Sequence, residues 1–276
     1  MLGRADTLAV MRIATWNVNS IRSRADRVLA FLERSGTDVL AIQETKCRDD
    51  QFPALPFELA GYEVAHVGLS QWNGVALLSR VGIEGVEVGF PDQPGFGDPL
   101  VREARAIGAT CGGVRVWSLY VPNGRVLDDP HYHYKLEWLA RLRDAAEGWL
   151  EADPTLQAAL MGDWNIAPLD TDVWDPALFA GRTHVSPAER EAFAAFARAG
   201  WTEVTREHLP EPGKYTYWDY TQLRFPRNEG MRIDLAYATP ALAARVTAVE
   251  IDRNERKGKG ASDHVPVILD LADDAA

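Results

Sequence analysis

The sequence has 276 residues, of which 46% are hydrophobic, and it carries a formal net charge of -11. A chain of this size can bury a sizeable core, and we expect one globular domain. Its two cysteines, Cys47 and Cys111, lie far apart and outside any Cys/His pattern, which argues against a disulfide framework and a zinc site. The acidic charge argues against a nucleic-acid partner, because DNA affinity comes largely from lysine and arginine. A carboxylate metal site adds negative charge of its own, however, and arginines on one face can still follow a phosphate backbone.

The sequence gives no signal for a membrane or for export. No run approaches about 18 consecutive apolar residues, and Met1 to Val10 lacks the basic and apolar segments of a signal peptide. We therefore expect a soluble protein in the reducing cytoplasm with no membrane partner. The excess of arginine over lysine and the high alanine content are typical of a GC-rich genome and favour a bacterial source.

The predicted elements begin with a β-α-β unit. Arg12 to Asn17 is typical of a strand that enters a turn, and apolar residues at helical spacing from Ala25 to Leu32 predict a helix that Gly36 ends. A buried strand follows at Val39 to Gln43. Four further strand-like runs come next, namely Tyr62 to His66, Gly74 to Ser79, Ala104 to Cys111 and Val114 to Val121. Consecutive strands with few helical signals between them imply antiparallel or mixed pairing.

The second half of the chain combines a long helix with more strands. The predicted helix Tyr132 to Leu150 has one apolar face, formed by Tyr134, Trp138, Leu142, Ala145 and Trp149. The later predicted elements are the strand Ala158 to Gly162, the helix Ala188 to Arg198, and the strands Met231 to Ala238, Arg245 to Ile251 and Val265 to Leu269. Two long irregular stretches are predicted at Trp164 to Pro187 and Gly213 to Arg227. Loops of this length usually take part in binding. Two halves of similar strand content favour two sheets packed face to face and flanked by helices.

Polar residues recur where the predicted strands end. The segments are Trp16-Asn17-Val18-Asn19, Gln43-Glu44-Thr45, Gly162-Asp163-Trp164-Asn165, Arg232-Ile233-Asp234 and Ser262-Asp263-His264. A single Asp or Asn after a strand is more often a turn former or a helix cap. Five such segments together, in a chain poor in cysteine and histidine, favour a site where oxygen atoms hold a hard cation.

The same segments, in this order and spacing, resemble a known family, the exonuclease III and DNase I-like phosphoesterases. The matching stretches are WNVNSIRSR, DVLAIQETK, LYVPNG, MGDWNIAP, RIDLAYAT and SDHVPV. The resemblance covers Met11 to Leu271 and implies one domain with a four-layer α/β sandwich, in which two packed mixed β-sheets are flanked by helices. We expect residues 1–10 and 272–276 to be disordered tails.

The resemblance implies a metal site and a general base. Glu44 is expected to be a principal Mg²⁺ ligand, with Asn17 and Asp263 beside it, and Mn²⁺ is an alternative ion. Mg²⁺ prefers oxygen donors in octahedral geometry and keeps several waters. Asp163 is expected to orient and deprotonate the attacking water, and Asn165, two residues on, to help position it. Asp163 and Asn165 are also candidates for a second metal, and the number of metals stays open.

The resemblance also implies roles for a histidine and a tyrosine. His264 pairs with Asp234, whose carboxylate fixes the tautomer of the imidazole and favours its charged form. A protonated His264 would stabilise the transition state, whereas a neutral one would be the base; we favour Asp163 as base and His264 as stabiliser. Tyr120 matches the tyrosine that hydrogen-bonds the phosphate or assists the leaving oxygen. The alternative for Tyr120 is a buried strand tyrosine with a satisfied hydroxyl.

Three features resemble the DNA-repair branch of this family. They are the Gln-Glu-Thr-Lys form of the glutamate motif, Asn-Ile-Ala-Pro after Gly-Asp-Trp, and the aromatic run Lys214 to Tyr220 ahead of Asp234. This branch implies an enzyme that binds double-stranded DNA, incises it 5′ to abasic sites and trims 3′ ends. We expect a monomer that works on the bacterial nucleoid.

In that branch an apolar pocket receives the extruded abasic sugar. Tyr217, Trp218, Met231 and Ile233 occupy the matching positions, although ordinary core packing is the alternative for the Tyr217-Trp218 pair. Extruding an abasic nucleotide costs little stacking, and a small apolar pocket can reject normal nucleotides by size. Met231 stands where some relatives carry an aromatic residue, so the strength of the abasic preference stays open. Arg22 is a candidate phosphate contact, as are Arg24, Lys46, Arg125, Lys214, Arg224 and Arg227.

Two other functions remain open at this point. The same fold and catalytic residues serve enzymes that act on small or lipid phosphates, so the fold alone does not give the substrate. A DNA-binding protein without catalysis is the second alternative, and the complete set of site residues argues against it. His131 and His133 are expected to cap a helix or to touch a phosphate rather than to bind a metal.

Overall fold

The computed structural model describes residues 11–273. The strands formed in this range are β1 (Met11–Asn17), β2 (Val39–Gln43), β3 (Glu63–Val67), β4 (Val75–Ser79), β5 (Glu84–Val88), β6 (Ala106–Cys111), β7 (Val114–Tyr120), β8 (Ala158–Asp163), β9 (Thr202–Glu203), β10 (Asp234–Ala238), β11 (Val246–Ile251) and β12 (Val267–Leu271). The helices are α1 (Ala25–Ser35), α2 (Ala54–Leu59), α3 (Pro130–Ala152), α4 (Pro176–Phe179), α5 (Pro187–Arg198), α6 (Val204–His208), α7 (Arg224–Arg227) and α8 (Pro240–Ala243).

The strands form two six-stranded mixed sheets. The strand order is β11-β12-β1-β2-β4-β3 in the first sheet and β5-β6-β7-β8-β10-β9 in the second. Each sheet contains one parallel pair, β1 with β2 and β7 with β8. Parallel strands end at the same edge of a sheet, so the residues that follow β1 and β2 lie together, as do those that follow β7 and β8.

Apolar side chains hold the layers together. Val39 and Leu77 of the first sheet pack in one cluster with Val116 and Met161 of the second. On the outer side of the first sheet, Phe31 of α1 and Phe57 of α2 share a cluster with Trp16. On the outer side of the second sheet, Trp138 of α3 and Phe196 of α5 share a cluster with Trp117. The predicted four-layer α/β sandwich is therefore confirmed.

The predicted end of α1 is confirmed, whereas α3 begins at Pro130 rather than at the predicted Tyr132. Gly36 adopts φ 66° at the end of α1, a left-handed conformation that favours glycine. Helix α3 begins at Pro130, and the carboxylate of Asp129 accepts a hydrogen bond from the backbone N–H of His131. Asp129 is thus the cap of α3, and the buried imidazole of His131 instead contacts the carbonyl oxygen of Asn123.

Two predicted features differ from the structure, one strand that was not predicted and one predicted strand that is divided. Strand β5 was not predicted, because all five of its residues are exposed and no buried side gives it an alternating pattern. The predicted strand Met231 to Ala238 is divided: Met231 forms isolated bridges with Val173 and Tyr217, and β10 begins only at Asp234.

The predicted tails lie mostly outside the described residues, at 1–10 and 274–276. Ala272 is described, and its backbone N–H donates a hydrogen bond to the carbonyl oxygen of Arg245. Among residues 11–273, no helix combines the length and apolar character that crossing a membrane requires.

Candidate active site

The strand register brings the predicted catalytic residues to one place. Asn17 ends β1, and Glu44 directly follows β2 with φ 55°, a left-handed turn that takes the chain out of the sheet. In the second sheet Asp163 ends β8, beside Tyr120 of β7 and opposite Asp234 of β10. The two sheets therefore contribute their polar strand ends to a common centre.

Asn17 joins the two halves of this centre. Its side-chain nitrogen donates hydrogen bonds to Glu44 Oε1 at 2.8 Å and to Asp163 Oδ2 at 2.9 Å. Ligand atoms of Glu44, Asp163 and His264 all lie within 4.8 Å of one another. Residues that are more than 200 positions apart along the chain thus form one compact polar cluster.

His264 is held by its neighbours on both ring nitrogens. Its Nδ1 lies 2.8 Å from Asp234 Oδ2, and its Nε2 lies 3.8 Å from Asp163 Oδ2. Burial alone would lower the pKa of His264, but the charges of Asp234 and Asp163 outweigh this effect and raise it to about 10. His264 is therefore an imidazolium at neutral pH, which makes it a hydrogen-bond donor toward an anionic group.

The two carboxylates of the cluster differ in protonation. Burial raises the pKa of Asp163 to about 7, although the charge of His264 opposes this shift. Burial also acts to raise the pKa of Glu44, but Lys46, with its ammonium 2.7 Å from Glu44 Oε2, and the hydrogen bond from Asn17 lower it. Glu44 is therefore ionised, and Asp163 is poised to exchange a proton near neutral pH.

The donor set of this cluster fits a hard divalent cation. Glu44 and Asp163 supply carboxylate oxygens, and the amide of Asn17 lies between them. Mg²⁺ and Mn²⁺ prefer such oxygen ligands over sulfur. A cation would also offset the repulsion between two carboxylates held this close.

The structure places two further predicted ligands differently. Asp263 is half-buried and accepts a hydrogen bond from the side-chain nitrogen of Asn19 at 3.0 Å, outside the three-residue cluster. The side-chain nitrogen of Asn165 donates to the carbonyl oxygen of Val121 at 2.9 Å, while its backbone N–H donates to Asp163 Oδ1 at 2.9 Å. Asn165 thus orients Asp163 through its backbone, and metal binding by Asp263 and Asn165 stays a prediction.

Tyr120 lies against the cluster as a neutral phenol. Burial, and next the charge of Glu44, raise its pKa well above the ordinary value. The guanidinium of Arg105 lies 4.8 Å from the centre of the Tyr120 ring and is itself buried in an ion pair with Glu103 at 2.6 Å. Sequence reasoning missed Arg105, because a lone arginine before a strand carries no motif.

A second buried group supports Asn165 from behind and was also missed. Lys135 of α3 and Glu189 of α5 form a completely buried ion pair, and Lys135 Nζ donates to the carbonyl oxygen of Asn165 at 2.7 Å. His184 Nε2 lies 3.2 Å from Asn165 Oδ1. The Ser-x-x-Glu spacing of Ser186 and Glu189 is a capping-box signal that marks Glu189 in the sequence, whereas Lys135 has no such signal.

The predicted pocket residues divide into a wall and a support. The ring of Tyr217 lies 4.9 Å from that of His264, and Tyr217 pairs through its backbone with Met231. Ile233 is 2% exposed and packs beneath Met231 in an apolar cluster. Trp218 is 0% exposed and packs against Tyr215, Val265 and Phe225, so it lies under the pocket rather than in its wall.

A cavity of about 330 Å³ adjoins Tyr217 and Met231. Its other lining residues include Trp174, Phe179, Arg182, Asp219 and Arg224. Charged side chains form part of this wall beside the aromatic rings, and the volume reaches the range of ligand pockets. The expectation of a small apolar pocket that receives an abasic sugar stays a prediction.

Three of the predicted phosphate contacts differ in how far their side chains are already engaged. Arg22 is exposed on the short turn that follows Asn19, and Lys46 is bound to Glu44. Arg24 is already engaged, since its guanidinium donates to the carbonyl oxygen of Gly260 and to the Tyr220 hydroxyl. Arg22 is therefore freer than Arg24 to meet a substrate.

The fold and the site together define a class of protein. Its members are α/β sandwiches of two mixed sheets, and they carry a single centre of carboxylates and a histidine to which both sheets contribute. The chain belongs to the Endonuclease/Exonuclease/phosphatase family, which matches residues 14–264. The resemblance inferred from the motifs is thereby confirmed.

Known proteins similar to this chain span nearly its whole length. A 3′-5′ exonuclease (NExo) from Neisseria meningitidis is 36% identical, with a TM-score of 0.89, and the match covers 95% of this chain and 99% of the other. An AP endonuclease from Archaeoglobus fulgidus is 34% identical, with a TM-score of 0.88, over 96% of this chain and 100% of the other. Exodeoxyribonuclease III from Haemophilus influenzae is 29% identical over 93% of this chain and 98% of its own length.

Proposed function

We propose that this protein is a DNA repair nuclease that uses a divalent cation, incises duplex DNA 5′ to abasic sites and trims 3′ ends. The observation that carries the proposal is the convergence of Glu44, Asp163 and His264 within 4.8 Å, with Asn17 hydrogen-bonded to both carboxylates. A cation site beside a buried imidazolium suits a reaction in which negative charge develops on a phosphate.

The residues of the centre have distinct roles in the proposed hydrolysis of a phosphodiester. Glu44, with Asn17 and Asp163, would hold Mg²⁺ or Mn²⁺, which polarises a phosphate when it is bound. Asp163, oriented by the backbone N–H of Asn165, accepts the proton of the attacking water, and a pKa of about 7 suits this role at neutral pH. His264, kept protonated by Asp234, donates to a phosphate oxygen, and the neutral hydroxyl of Tyr120 donates beside it.

The similar proteins favour DNA over other phosphate esters. A Neisseria protein that is 36% identical is named a 3′ phosphatase and is bound to a product DNA hairpin. DNA repair nuclease APEX1 from Danio rerio is 30% identical over 98% of this chain. We therefore propose that the present chain also binds DNA. We propose further that it works as a monomer in the bacterial cytoplasm.

A comparison of three substrates tests the proposal. The purified protein is assayed on a fluorescent duplex with one abasic site, on a duplex ending in a 3′-phosphate, and on an inositol phosphate, each with Mg²⁺ and with EDTA. We expect incision and 3′-phosphate removal in Mg²⁺ only, and no hydrolysis of the inositol phosphate. Hydrolysis of the inositol phosphate alone would assign the protein to small phosphates, and inactivity on all three in Mg²⁺ and in Mn²⁺ would contradict catalysis.

A further inference from the structure

The turn that carries Glu44 has a strained backbone. Glu44 adopts φ 55° and Lys46 adopts φ 51°, so two non-glycine residues in the left-handed region flank Thr45. This conformation costs free energy in a residue with a Cβ atom, and it persists only where surrounding contacts hold it. The direction of the Glu44 carboxylate therefore depends on what fixes Thr45.

Thr45 is completely buried, and its side chain is anchored to a strand that is not adjacent to β2. Its hydroxyl lies 2.8 Å from Nε2 of His66 on β3, and β4 lies between β2 and β3 in the sheet. The contact passes the residue just before β4, which is Gly74. A Cβ atom on Gly74 would lie 2.0 Å from Thr45 Oγ1, so glycine makes this approach possible. The backbone N–H of Thr45 also donates to the carbonyl oxygen of Gly74 at 3.1 Å.

His66 is held in turn on its other ring nitrogen. Its Nδ1 lies 3.0 Å from Asp49 Oδ1, and its ring centroid lies 4.4 Å from that of Phe52. The side chain of His66 is 6% exposed, and burial lowers its pKa to about 4, although the charge of Asp49 opposes this shift. A neutral imidazole has one donor and one acceptor nitrogen, and the carboxylate favours the proton on Nδ1. Nε2 is therefore the acceptor for the Thr45 hydroxyl.

We infer that His66, oriented by Asp49, is a positioning residue for the cation ligand Glu44 and acts on it through the hydroxyl of Thr45. The inference rests on the proposed function, in which Glu44 holds a divalent cation. His66 lies outside the cluster of carboxylates and histidine itself, so it acts on the reaction only through this turn. Without the hydrogen bond the strained turn relaxes, and the Glu44 carboxylate leaves its place beside Asn17. Residues that support a metal ligand typically change metal affinity by roughly 10- to 100-fold when they are mutated.

The test measures Mg²⁺ affinity apart from catalysis, by calorimetric titration of the protein without DNA. Thr45→Val removes the hydroxyl and keeps the size of the side chain, so we expect Mg²⁺ affinity to fall about tenfold. The rate of 3′-phosphate removal should fall at low Mg²⁺ and return toward the wild-type rate at saturating Mg²⁺. Thr37→Val is the matched control, because Thr37 is also completely buried, precedes β2 at its other end and pairs its hydroxyl with that of Ser35 at 2.7 Å. It should leave Mg²⁺ affinity unchanged.

Variants of His66 test the route through the imidazole. His66→Leu should weaken Mg²⁺ binding as Thr45→Val does, and the double variant should lose no more affinity than either single variant. His66→Gln keeps an acceptor for the hydroxyl and should recover part of the affinity. Wild-type Mg²⁺ affinity in folded Thr45→Val, or losses that add fully in the double variant, would overturn the inference and leave the nuclease intact. A wild-type protein that binds neither Mg²⁺ nor Mn²⁺ and cleaves no DNA overturns the proposed function, and the inference with it.

Discussion

The catalytic centre and the neighbouring cavity are built in opposite ways. Asp163, Asp234 and His264 are at most 4% exposed. The pairing of β8 with β10 places Asp163 opposite Asp234, and His264 lies 2.8 Å from Asp234. Trp174 lies partly exposed in the segment just before α4, and Arg224 lies partly exposed at the start of the short helix α7. We therefore expect the sheets to position the catalytic residues and the loops to determine substrate preference. Changes in the centre should therefore affect all substrates alike, whereas changes in the cavity should alter the ratio between them.

Among the substitutions in the catalytic centre, His264→Asn should lower the reaction rate most. Removing a charge-assisted hydrogen bond to the developing phosphate charge should lower the rate by about 10²- to 10³-fold on both abasic and 3′-phosphate duplexes. Single-turnover rates with enzyme in excess measure this loss. His133→Asn on the exposed face of α3 is the matched control. A wild-type rate in His264→Asn would remove this residue from the mechanism.

Glu44→Gln should weaken cation binding rather than the chemical step. A neutral amide loses the Coulombic part of the bond to a hard cation. Mutating a residue that only hydrogen-bonds a metal ligand typically lowers metal affinity by roughly 10- to 100-fold, and we expect the loss of Mg²⁺ affinity in Glu44→Gln to be at least that large. Raised Mg²⁺ should then recover part of the rate. Calorimetric titration measures the affinity directly, with Glu58→Gln on exposed α2 as control. Unchanged affinity with no recovery at high Mg²⁺ would show that Glu44 is not a ligand.

Asp234→Asn should shift the pH dependence of activity. The pKa of His264 is about 10 because Asp234 and Asp163 outweigh the effect of burial, so losing Asp234 moves this pKa down. The protonated ring is the active form, and the rate should therefore fall at a lower pH than in the wild type. Protonated His264 also stabilises the folded state fully below a pH near 6.5. This contribution is lost as the pH rises through about 10.

Rate profiles from neutral to alkaline pH measure the shift, and the exposed Asp153→Asn is the matched control. Superimposable profiles for Asp234→Asn and wild type would exclude Asp234 as the residue that keeps His264 charged.

Trp218→Ala should have the smallest effect on substrate choice, because Trp218 supports the cavity without lining it. Loss of a completely buried indole should cost about 3 to 5 kcal/mol of unfolding free energy. The ratio between the two DNA substrates should stay close to that of the wild type. Chemical denaturation measures the stability, and the exposed Trp72→Ala should leave it nearly unchanged. An altered ratio at full stability would return Trp218 to the pocket wall.

The centre was predictable from the sequence because each of its residues lies at or near a strand terminus within a short motif. Asp163, Asp234 and His264 were each named in this way, and β-pairing brings Asp163 opposite Asp234. Strand β5 escaped prediction because a fully exposed edge strand has no alternation between buried and exposed residues. The fold and the centre could thus be predicted where buried and exposed positions give the sequence a regular hydrophobic pattern.

The residues around the centre were less predictable. Lys135 and Arg105 support Asn165 and Tyr120 from distant elements, and a single buried cation has no local spacing to announce it. Trp218 and Tyr217 are neighbours in one aromatic run, yet only Tyr217 lines the cavity. Adjacent residues in an irregular segment have no fixed period, so sequence alone does not say which ring faces the solvent.

The most direct test of the account is Asp163→Asn, measured on the abasic duplex and on the 3′-phosphate duplex in parallel. Single-turnover rates give the chemical step, and fluorescence anisotropy in EDTA gives DNA affinity. If one buried centre serves every substrate, both rates should fall by the same factor, about 10²-fold or more, while the affinity stays at the wild-type value. A loss confined to one substrate, or a fall in affinity that matches the fall in rate, would contradict a shared centre with Asp163 as its base.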